Sequence, residues 1–588
     1  MPDKVPLLYR SEDLLPLKSQ QAQQDVLTEI MLMFSQAQTW RATFAAQWEE
    51  VAELILPTSR NTFYYGNFNW PGQKKTDRQV DATGMMALHR FAAICDSLLT
   101  PRNMTWHGLQ AMDPVLQKDR NVKMWFAQVT RILFQMRYAP IGNFAANNQN
   151  NFQSLGAFGT GAMFVDQAVS EANTPLRALR YKAIPLGELF ILENHQGLVN
   201  GFMRWFRMTA DQAIKRFGPE AMPELYHSAQ KQQSLTPYEF LHVVRPRPDF
   251  NPYRLDFKGK PFASYYVALD ARQIVEEGGY SSFPLAVSRY DQTPGETYGR
   301  SPAMMVLPAL KTLNAQKRVF LKQGHRAGDP VLLTADDGLV DLNLTPGAVN
   351  SGGMNSDGKP LVTILPTGNI QVTKEMMDEE RSLINDAFLV SLFQILTESP
   401  TMTATEVIER TNEKGILIAP TVGRQQSEYL GPMIEREVDL LAQMGVLPPM
   451  PPALLEARGA YEVAYSSPLS KAARAQEASG FMRTVENATA VVQVTGDSSL
   501  LDVFDFDTAI PEIADIQGVP VSWMASPQTI AQKRQARAKA LAREQQIQAM
   551  PAQAAMMKAQ QTAPNQTNQP QQQPGAGAAP AAPGPQGG

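Results

Sequence analysis

The sequence predicts an α+β fold that is mainly helical, and three patterns support this prediction. Two segments with helical periodicity, 301–326 and 375–396, enclose a stretch that is rich in Gly and Pro. Two further long amphipathic segments occur at 27–56 and 404–447. In 156–290, apolar and polar residues alternate between turn signals, a pattern that is typical of antiparallel strands.

Composition limits the class of protein. The chain has 588 residues, of which 44% are hydrophobic, and a net charge of −4. It is therefore not a uniformly basic DNA-binding protein, and any contact with nucleic acid must be local. Cys95 is the single cysteine, which excludes a disulfide within the chain. No apolar run approaches the roughly 18 residues of a membrane span and the N-terminus has no secretory pattern, so we expect synthesis in the cytoplasm and no membrane partner.

The N-terminal elements are predicted from apolar spacing and turn residues. A helix covers 27–56, and the aromatic, Asn-rich stretch after it predicts a loop. A second helix is expected to begin near Asp81, whose carboxylate can cap it. A third helix covers 121–138 after a short strand-like piece, TWHGLQ. Within the antiparallel region we expect one short helix over 209–217.

The two central segments are predicted to pack as paired helices, because their apolar residues recur at helical spacings. The packing positions are Val306, Leu310 and Leu313 in the first helix and Ile384, Phe388 and Leu392 in the second. Asp329-Pro330 ends the first helix, since a residue before proline is disfavoured in the helical conformation. Between the helices, PVLLTADDG and KPLVTILP predict short strands.

A basic stripe lies opposite the apolar face of the first central helix. Lys311, Arg318 and Lys322 could line a path for a phosphate backbone. The alternatives are that these cations pair with the acids at 378–380 of the neighbouring helix, or that they are simply solvated. The basic helix predicted at 527–550 could likewise face DNA or be a solvated helix of mixed charge.

No stretch carries an enzyme motif with its full chemistry. GMNSDGKP has the spacing of a phosphate-binding loop, but Pro360 stands where the Ser/Thr hydroxyl for Mg²⁺ belongs, so a turn between two strands is the preferred interpretation. Gly159-Thr160-Gly161 lacks the dinucleotide fingerprint and predicts a turn or close packing. The six histidines never pair at metal-binding spacing. We therefore predict no catalytic, cofactor-binding or metal site.

Four stretches resemble the portal, or head-to-tail connector, proteins of short-tailed, podovirus-type bacteriophages. They are WEEVAELILPTSRNTF, DATGMMALHRFAAICDSLLTPRNMTWHGL, YGRSPAMMVLPALKTLNAQKRVFLKQGHRAGDPVLLTADDG and TMTATEVIERTNEKG. They occur in the family order, and the third is the most specific. The resemblance implies a portal-type subunit of mainly α, α+β class, with a wing, paired stem helices, a clip and a helical crown.

The resemblance also implies a division of the chain into parts. These are an N-terminal arm (1–26), the wing (27–300), stem helix 1 (301–326), the clip (327–374), stem helix 2 (375–396), a tunnel loop (397–403), a long kinked helix returning through the wing (404–460), a crown or barrel (461–550) and a disordered Gln/Pro/Ala-rich tail (551–588). The kink is expected at Gly415 and Pro420. Glu398 and Thr401 of the tunnel loop join Lys311, Arg318 and Lys322 as candidate DNA-channel residues.

The function that the resemblance implies is a ring, of twelve copies in that family, at one capsid vertex. Double-stranded DNA would pass through the ring without sequence-specific contacts during packaging and ejection. The implied partners are a terminase packaging motor, a tail adaptor, and the major capsid and scaffolding proteins, and the implied location is the virion. Two alternatives remain open: a virion or tail structural protein without a DNA channel, and a DNA-processing enzyme using Lys359 or acid pairs.

Overall fold

The computed structural model divides the chain into two compact units, residues 1–518 and 519–588. It describes residues 20–64, 72–170, 173–219, 222, 235–334, 343–351, 353–366, 368–391, 419–457, 459–465, 468–495, 502–516, 519, 523–526 and 528–544. Helices and antiparallel sheets both occur, which confirms the predicted α+β class with helices in excess.

Capping side chains and glycines determine where the N-terminal helices begin and end. Their bounds are α1 Gln20–Leu54, α2 Thr83–Leu99, α3 Pro114–Lys118, α4 Arg120–Arg137 and α5 Phe144–Phe158. Asp81 accepts a hydrogen bond from the Thr83 amide at 2.8 Å, so the predicted role of this carboxylate at the start of α2 is confirmed. Helix α5 ends at Gly159, whose φ of 76° favours glycine. A Cβ atom there would lie 2.3 Å from the Gly299 carbonyl oxygen, which confirms the close packing predicted at this glycine.

The strands form four antiparallel sheets within the described residues. Their bounds are β1 His107–Ala111, β2 Thr160–Val169, β3 Pro175–Ala183, β4 Leu189–Glu193, β5 Val199–Thr209, β6 Pro237–Pro246, β7 Phe262–Ala268, β8 Gln273–Tyr280, β9 Leu285–Arg289, β10 Leu332–Thr334, β11 Val362–Ile364 and β12 Tyr461–Tyr465. The largest sheet has the order β4-β5-β6-β7-β8, and a second has the order β3-β2-β9. The predicted short helix is α6, Ala210–Phe217, and Thr209 caps it in a capping box with Gln212.

Of the four buried clusters in the described residues, the three largest hold most of these elements together. The N-terminal half of α1 packs on the five-stranded sheet, where Phe34 meets Phe190 edge to face. The C-terminal half of α1 joins α2, α5 and the central helices around Trp48. The third cluster gathers α4, α5, β2 and β3 around a helix from the far end of the chain.

The central helices are shorter and more broken than predicted. A single turn, α7 (Pro302–Met305), precedes α8 (Leu307–Gly328), because Pro308 has no amide hydrogen and fits only in the first turn of a helix. The second helix, α9, covers Ile370–Ala387 and therefore begins earlier than 375. It does not continue unbroken to 396, since Leu389 adopts a φ of 60°. Leu392 lies outside the described residues.

The helix predicted over 404–460 also ends early. Residues 419–424 are helical, a π-helical turn follows at Gln425–Leu430, and α10 covers Gly431–Gln443. Gly445, with a φ of 64°, and the proline-rich stretch after it terminate the helix. Gly415 and the turn before Pro420 lie outside the described residues, so the kink expected there stays a prediction. The irregularity within the described part is the π-helical turn at Gln425–Leu430.

The remaining elements of both units lie in the C-terminal part of the chain. They are α11 Pro452–Glu456, strand β12, α12 Pro468–Thr495, α13 Phe506–Ile516 and, in the second unit, α14 at 528–544. Strand β12 pairs with β1 along its whole length, from His107 opposite Tyr465 to Ala111 opposite Tyr461. The start of the predicted 461–550 segment is therefore joined to the N-terminal part of the chain.

Candidate functional site

The candidate site is the helix pair, which we define as α8, α9 and the hairpin of β10 and β11 between them. Its base is buried and its far part is exposed. In α8 the buried residues all lie between Leu307 and Leu313, and in α9 only Met377 and Ile384 are buried. The two helices contact each other along their length, and Thr373 donates a hydrogen bond to the Gln323 side chain at 3.1 Å.

The structure brings five of the six predicted packing residues into one buried cluster. Val306, Leu310 and Leu313 lie in the same cluster as Ile384 and Phe388, together with parts of α1, α2 and α5. Burying each such side chain contributes roughly 1.5–3 kcal/mol to stability. The base of the helix pair is therefore continuous with the main core of the first unit.

Helix α2 approaches this base closely because it carries a glycine at the contact. A Cβ atom on Gly84 would lie 2.7 Å from the Leu310 Cδ2 atom and 3.3 Å from Ile55 Cγ1. On the next turns of α2, Phe91 meets Phe388 edge to face, with ring centroids 6.1 Å apart. The motif DATG thus places its glycine where α8 crosses α2.

An irregular segment with a turn at 77–78, residues 72–82, contacts α8 through hydrogen bonds, and we name it the strap. Asn314 accepts a hydrogen bond from the Val80 amide at 2.8 Å and donates one to the Arg78 carbonyl at 3.1 Å. Arg318 donates to the same Arg78 carbonyl at 2.8 Å. The strap thereby satisfies its own backbone through side chains of α8.

Arg381 fastens α9 to the end of the strap. Its guanidinium lies 3.0 Å from Asp81 and 2.8 Å from Asp378. Burial alone would raise the pKa of Asp81, but hydrogen bonds from Thr83 and the ion pair with Arg381 outweigh it and hold that pKa below its ordinary value. The sequence interpretation gave Asp81 only as a helix cap and overlooked Arg381, and the available signal was the positive charge that directly follows the acids at 375–380.

The candidate channel cations have different surroundings. Lys311 pairs with Glu50 of α1 at 2.6 Å, not with the acids of α9. Arg318 is engaged by the strap, and Lys322 is exposed. Glu398 and Thr401 lie outside the described residues.

The hairpin contains the turn that the sequence predicted in place of a phosphate-binding loop. Asn355 donates its amide hydrogen to the Lys359 carbonyl at 2.9 Å, and Gly358 closes the turn with a φ of 72°. Met354 and Pro360 form an antiparallel bridge. The preferred interpretation of GMNSDGKP as a turn is therefore confirmed.

Large apolar side chains remain exposed on the helix pair, including Leu383 beside its buried base. Those on the helices are Val319, Leu321, Val372, Met376 and Leu383, and those on the hairpin segment are Val331, Leu333, Leu344, Val349, Met354, Ile364 and Leu365. Exposed apolar groups that form a contiguous patch are typical of an interaction surface.

A second set of functional contacts, absent from the sequence interpretation, holds α10 in place. Arg137 of α4 and Glu437 of α10 form an ion pair whose two side chains are both fully buried. Tyr181 of β3 donates its hydroxyl hydrogen to Glu437 at 2.6 Å, and His107 of β1 lies 2.9 Å from Arg137. Burial and the neighbouring Arg137 charge lower the pKa of His107 well below its ordinary value, so its imidazole is neutral.

The π-helical turn before α10 is anchored in the same way. The Tyr429 hydroxyl donates to Asn148 at 2.7 Å, and the Asn148 amide donates to Asp96 at 2.7 Å. Gln425 donates to the Arg289 carbonyl at 2.7 Å, and the Arg289 side chain lies 2.8 Å from Glu428. Buried polar contacts thus define the register of this segment against α5 and β9.

The described residues show no cluster of metal-ligating side chains. Within them, no group of three or more His, Cys, Asp or Glu side chains could hold a metal ion. Burial raises the pKa of Cys95 to about 12, so its sulfur is a thiol rather than a nucleophilic thiolate. Among the described helices, none combines the length and hydrophobicity that a membrane span requires.

Comparison with known proteins points to one family. The family described as bacteriophage head to tail connecting protein matches residues 27–524. A probable portal protein of Bordetella phage BPP-1 is 28% identical over 526 residues, which cover 87% of this chain and 91% of that protein. The portal protein of Salmonella phage epsilon15 is 26% identical over 528 residues, with the same shares covered.

Proposed function

The chain belongs to the family of bacteriophage head-to-tail connecting proteins, and from this membership we propose that its copies form the portal ring at one vertex of a phage capsid. Double-stranded DNA passes through the ring during packaging and ejection. The ring is also the platform on which a terminase packaging motor docks first and a tail adaptor later, and its rim contacts the major capsid and scaffolding proteins.

The proposal of a ring rests on one observation, the exposed apolar surface of the helix pair. The base of the pair is packed inside its own subunit, whereas Leu321, Leu383 and the hairpin side chains face solvent. A second copy of the chain covers such a surface most simply, because an identical helix pair offers the same length and spacing. Contacts between two different faces of identical subunits repeat around an axis, and they form a ring when the rotation between neighbours closes. Twelve copies is the number that we propose, from the family resemblance.

We assign the parts of the subunit on the same grounds. Residues 27–300 form the wing, α8 and α9 are the stem helices, and the intervening hairpin belongs to the clip. Residues 397–403 form the tunnel loop, and the segment from 461 onward contributes to the crown. The helix pair supports this assignment because its base joins the N-terminal helices and sheets while its tip is exposed.

The narrow part of the channel requires weak contacts, since a duplex that slides through a constriction cannot be clamped there. Lys311 and Arg318 already bind Glu50 and the strap, so Lys322 is the cation of this stripe with the freest approach to a phosphate. Glu398 and Thr401 belong to the constriction, which acts on the DNA through its shape and does not attract the phosphates strongly. The ring itself hydrolyses nothing, and the packaging motor supplies the energy.

The decisive measurement is electron microscopy of the purified chain. We expect end-on views of rings with an axial hole, whereas fibres or compact monomers contradict the proposal and favour another virion structural protein. Substituting Val319→Glu and Leu383→Glu, at 51% and 53% exposure, should prevent ring closure without unfolding the subunit.

The matched control is Leu198→Glu with Leu235→Glu, two exposed leucines outside the helix pair. This variant should still form rings. Rings that survive the helix-pair substitutions would show that the exposed apolar residues there are not the subunit interface.

A further inference from the structure

The second compact unit carries an excess of positive charge that the first unit lacks. The 70 residues from Val519 to Gly588 contain six Lys or Arg and one Glu. The preceding residues contain 47 Lys or Arg and 56 Asp or Glu. The net charge of −4 therefore conceals an acidic body and a basic C-terminal unit, an asymmetry that indicates a polyanionic partner.

Five of the six cations lie on one helix, α14. They are Lys533, Arg534, Arg537, Lys539 and Arg543. Every residue from Ile530 to Glu544 is exposed, and the helix is built from Ala, Gln, Lys, Arg and a few other residues with high helix propensity. A helix with this composition needs little packing to form.

The apolar content of α14 excludes two other uses of a basic helix. Ile530 and Leu541 are its large apolar residues, and Arg534 and Arg537 occupy the helical positions between them. An apolar seam for a coiled coil is therefore interrupted by charge. A membrane-surface helix needs a continuous face of Trp, Phe or Leu, which α14 does not have.

We propose that α14 is a binding site for the phosphate backbone of double-stranded DNA. From Lys533 to Arg543 the helix extends about 15 Å at ~1.5 Å per residue. A duplex of that length carries on the order of nine negative charges, so each cation on the facing side finds a phosphate. Lys and Arg contacts to phosphates carry no sequence information, which matches a protein that meets every part of a genome. The inference rests on the proposed function for the identity of the polyanion.

The test measures the affinity of the full-length chain for a labelled duplex of mixed sequence, by fluorescence anisotropy, over a series of salt concentrations. The variant carries Lys533→Gln, Arg537→Gln, Lys539→Gln and Arg543→Gln, which remove four charges and keep helix propensity. We expect the slope of log affinity against log salt to become shallower by about three, and the affinity at low salt to fall at least about tenfold.

The matched control removes four exposed cations from the acidic body: Arg90→Gln, Lys123→Gln, Arg131→Gln and Arg177→Gln. It should keep the slope of the unaltered chain. An equal loss in both variants would show a general charge effect and overturn the proposal. Loss of binding to phosphatidylserine vesicles with unchanged binding to the duplex would overturn it in favour of a membrane surface.

End-on electron microscopy of the same samples separates this inference from the proposed function. Rings with an axial hole, combined with an unchanged salt slope in the α14 variant, would leave the portal function standing and overturn the DNA site. Particles without a hole, combined with the expected change in slope, would overturn the portal ring and leave the DNA site standing.

Discussion

Helix α10 and the helix pair are anchored to the same body by different forces. The Arg137–Glu437 ion pair, fully buried and supported by Tyr181, holds α10. Apolar packing at Leu310 and Phe388 holds the base of the helix pair, and partly exposed contacts of the strap and Arg381 add to it. The buried polar contacts allow one register only, whereas the helix pair is rigid at its base and exposed beyond it.

The difference matters because substitutions in the two sets of contacts lower the stability for different physical reasons. A buried ion pair that loses one member leaves an uncompensated charge in the interior, at a cost of several kcal/mol. Apolar packing loses stability in proportion to the cavity that a substitution creates. Removing a partly exposed ion pair costs the least. Four tests, in order of expected effect, examine this comparison.

The largest effect is expected at Glu437. Glu437→Gln leaves the Arg137 guanidinium buried without a carboxylate, and the free energy of unfolding should fall by about 3–5 kcal/mol. Thermal or urea unfolding followed by circular dichroism measures this loss. Glu29→Gln, which breaks the outer ion pair with Arg245, is the control and should cost under about 1 kcal/mol. Equal losses in the two variants would refute the distinction between buried and outer pairs.

The second effect is at the base of the helix pair. Leu310→Ala should lower the free energy of unfolding by about 2–5 kcal/mol through the cavity it creates. Gly84→Ala should cost about 1–3 kcal/mol, because the new Cβ atom would lie 2.7 Å from Leu310 Cδ2. In the double variant the two effects should compensate by about 1 kcal/mol or more. Strict additivity in this cycle would show that α2 and α8 do not meet at these residues.

The third effect concerns the pH dependence of the Asp81–Arg381 contact. The pKa of Asp81 is lower in the folded chain than in the unfolded chain, so the unfolded state binds the proton more readily. The stabilisation is therefore fully present at neutral pH and is lost as pH falls below about 4 through the folded pKa. Asp81→Asn should destabilise the chain by about 1 kcal/mol at pH 7 and progressively less under acidic conditions.

Asp81→Ala separates the two roles of this carboxylate, since asparagine can still cap α2 but alanine can neither cap it nor pair with Arg381. Both variants should lose the pH dependence, and Asp81→Ala should be the less stable of the two. Unfolding midpoints measured from pH 7 to pH 3 give both results, and a constant difference between Asp81→Asn and the unaltered chain over this range would contradict the ion pair.

The smallest effect is expected at Lys311. Its pair with Glu50 joins two side chains that are each 53% exposed, so Lys311→Gln should change the free energy of unfolding by less than about 1 kcal/mol. The change should also shrink in high salt. A loss as large as that of Glu437→Gln would mean that Lys311 is a structural anchor of the helix pair.

The sequence by itself determined the features that depend on neighbouring residues. Helical spacing identified both central helices and their apolar faces, and the turn residues of GMNSDGKP identified the hairpin tip. The Asp81 carboxylate at the start of α2 and the close packing at Gly159 follow from the chemistry of one or two residues. Pro308 was equally visible, but the apolar period across it concealed the break between α7 and α8.

Tertiary structure alone decided the contacts between distant parts of the chain. The pairing of β1 with β12 and the ion pair of Arg137 with Glu437 join residues about 300 or more positions apart. A charged residue in a sequence reads as a surface residue, since burying it is unfavourable without a partner. The partner that makes burial possible is brought close only when the chain folds. No local pattern in the sequence therefore predicts that α10 packs into the core.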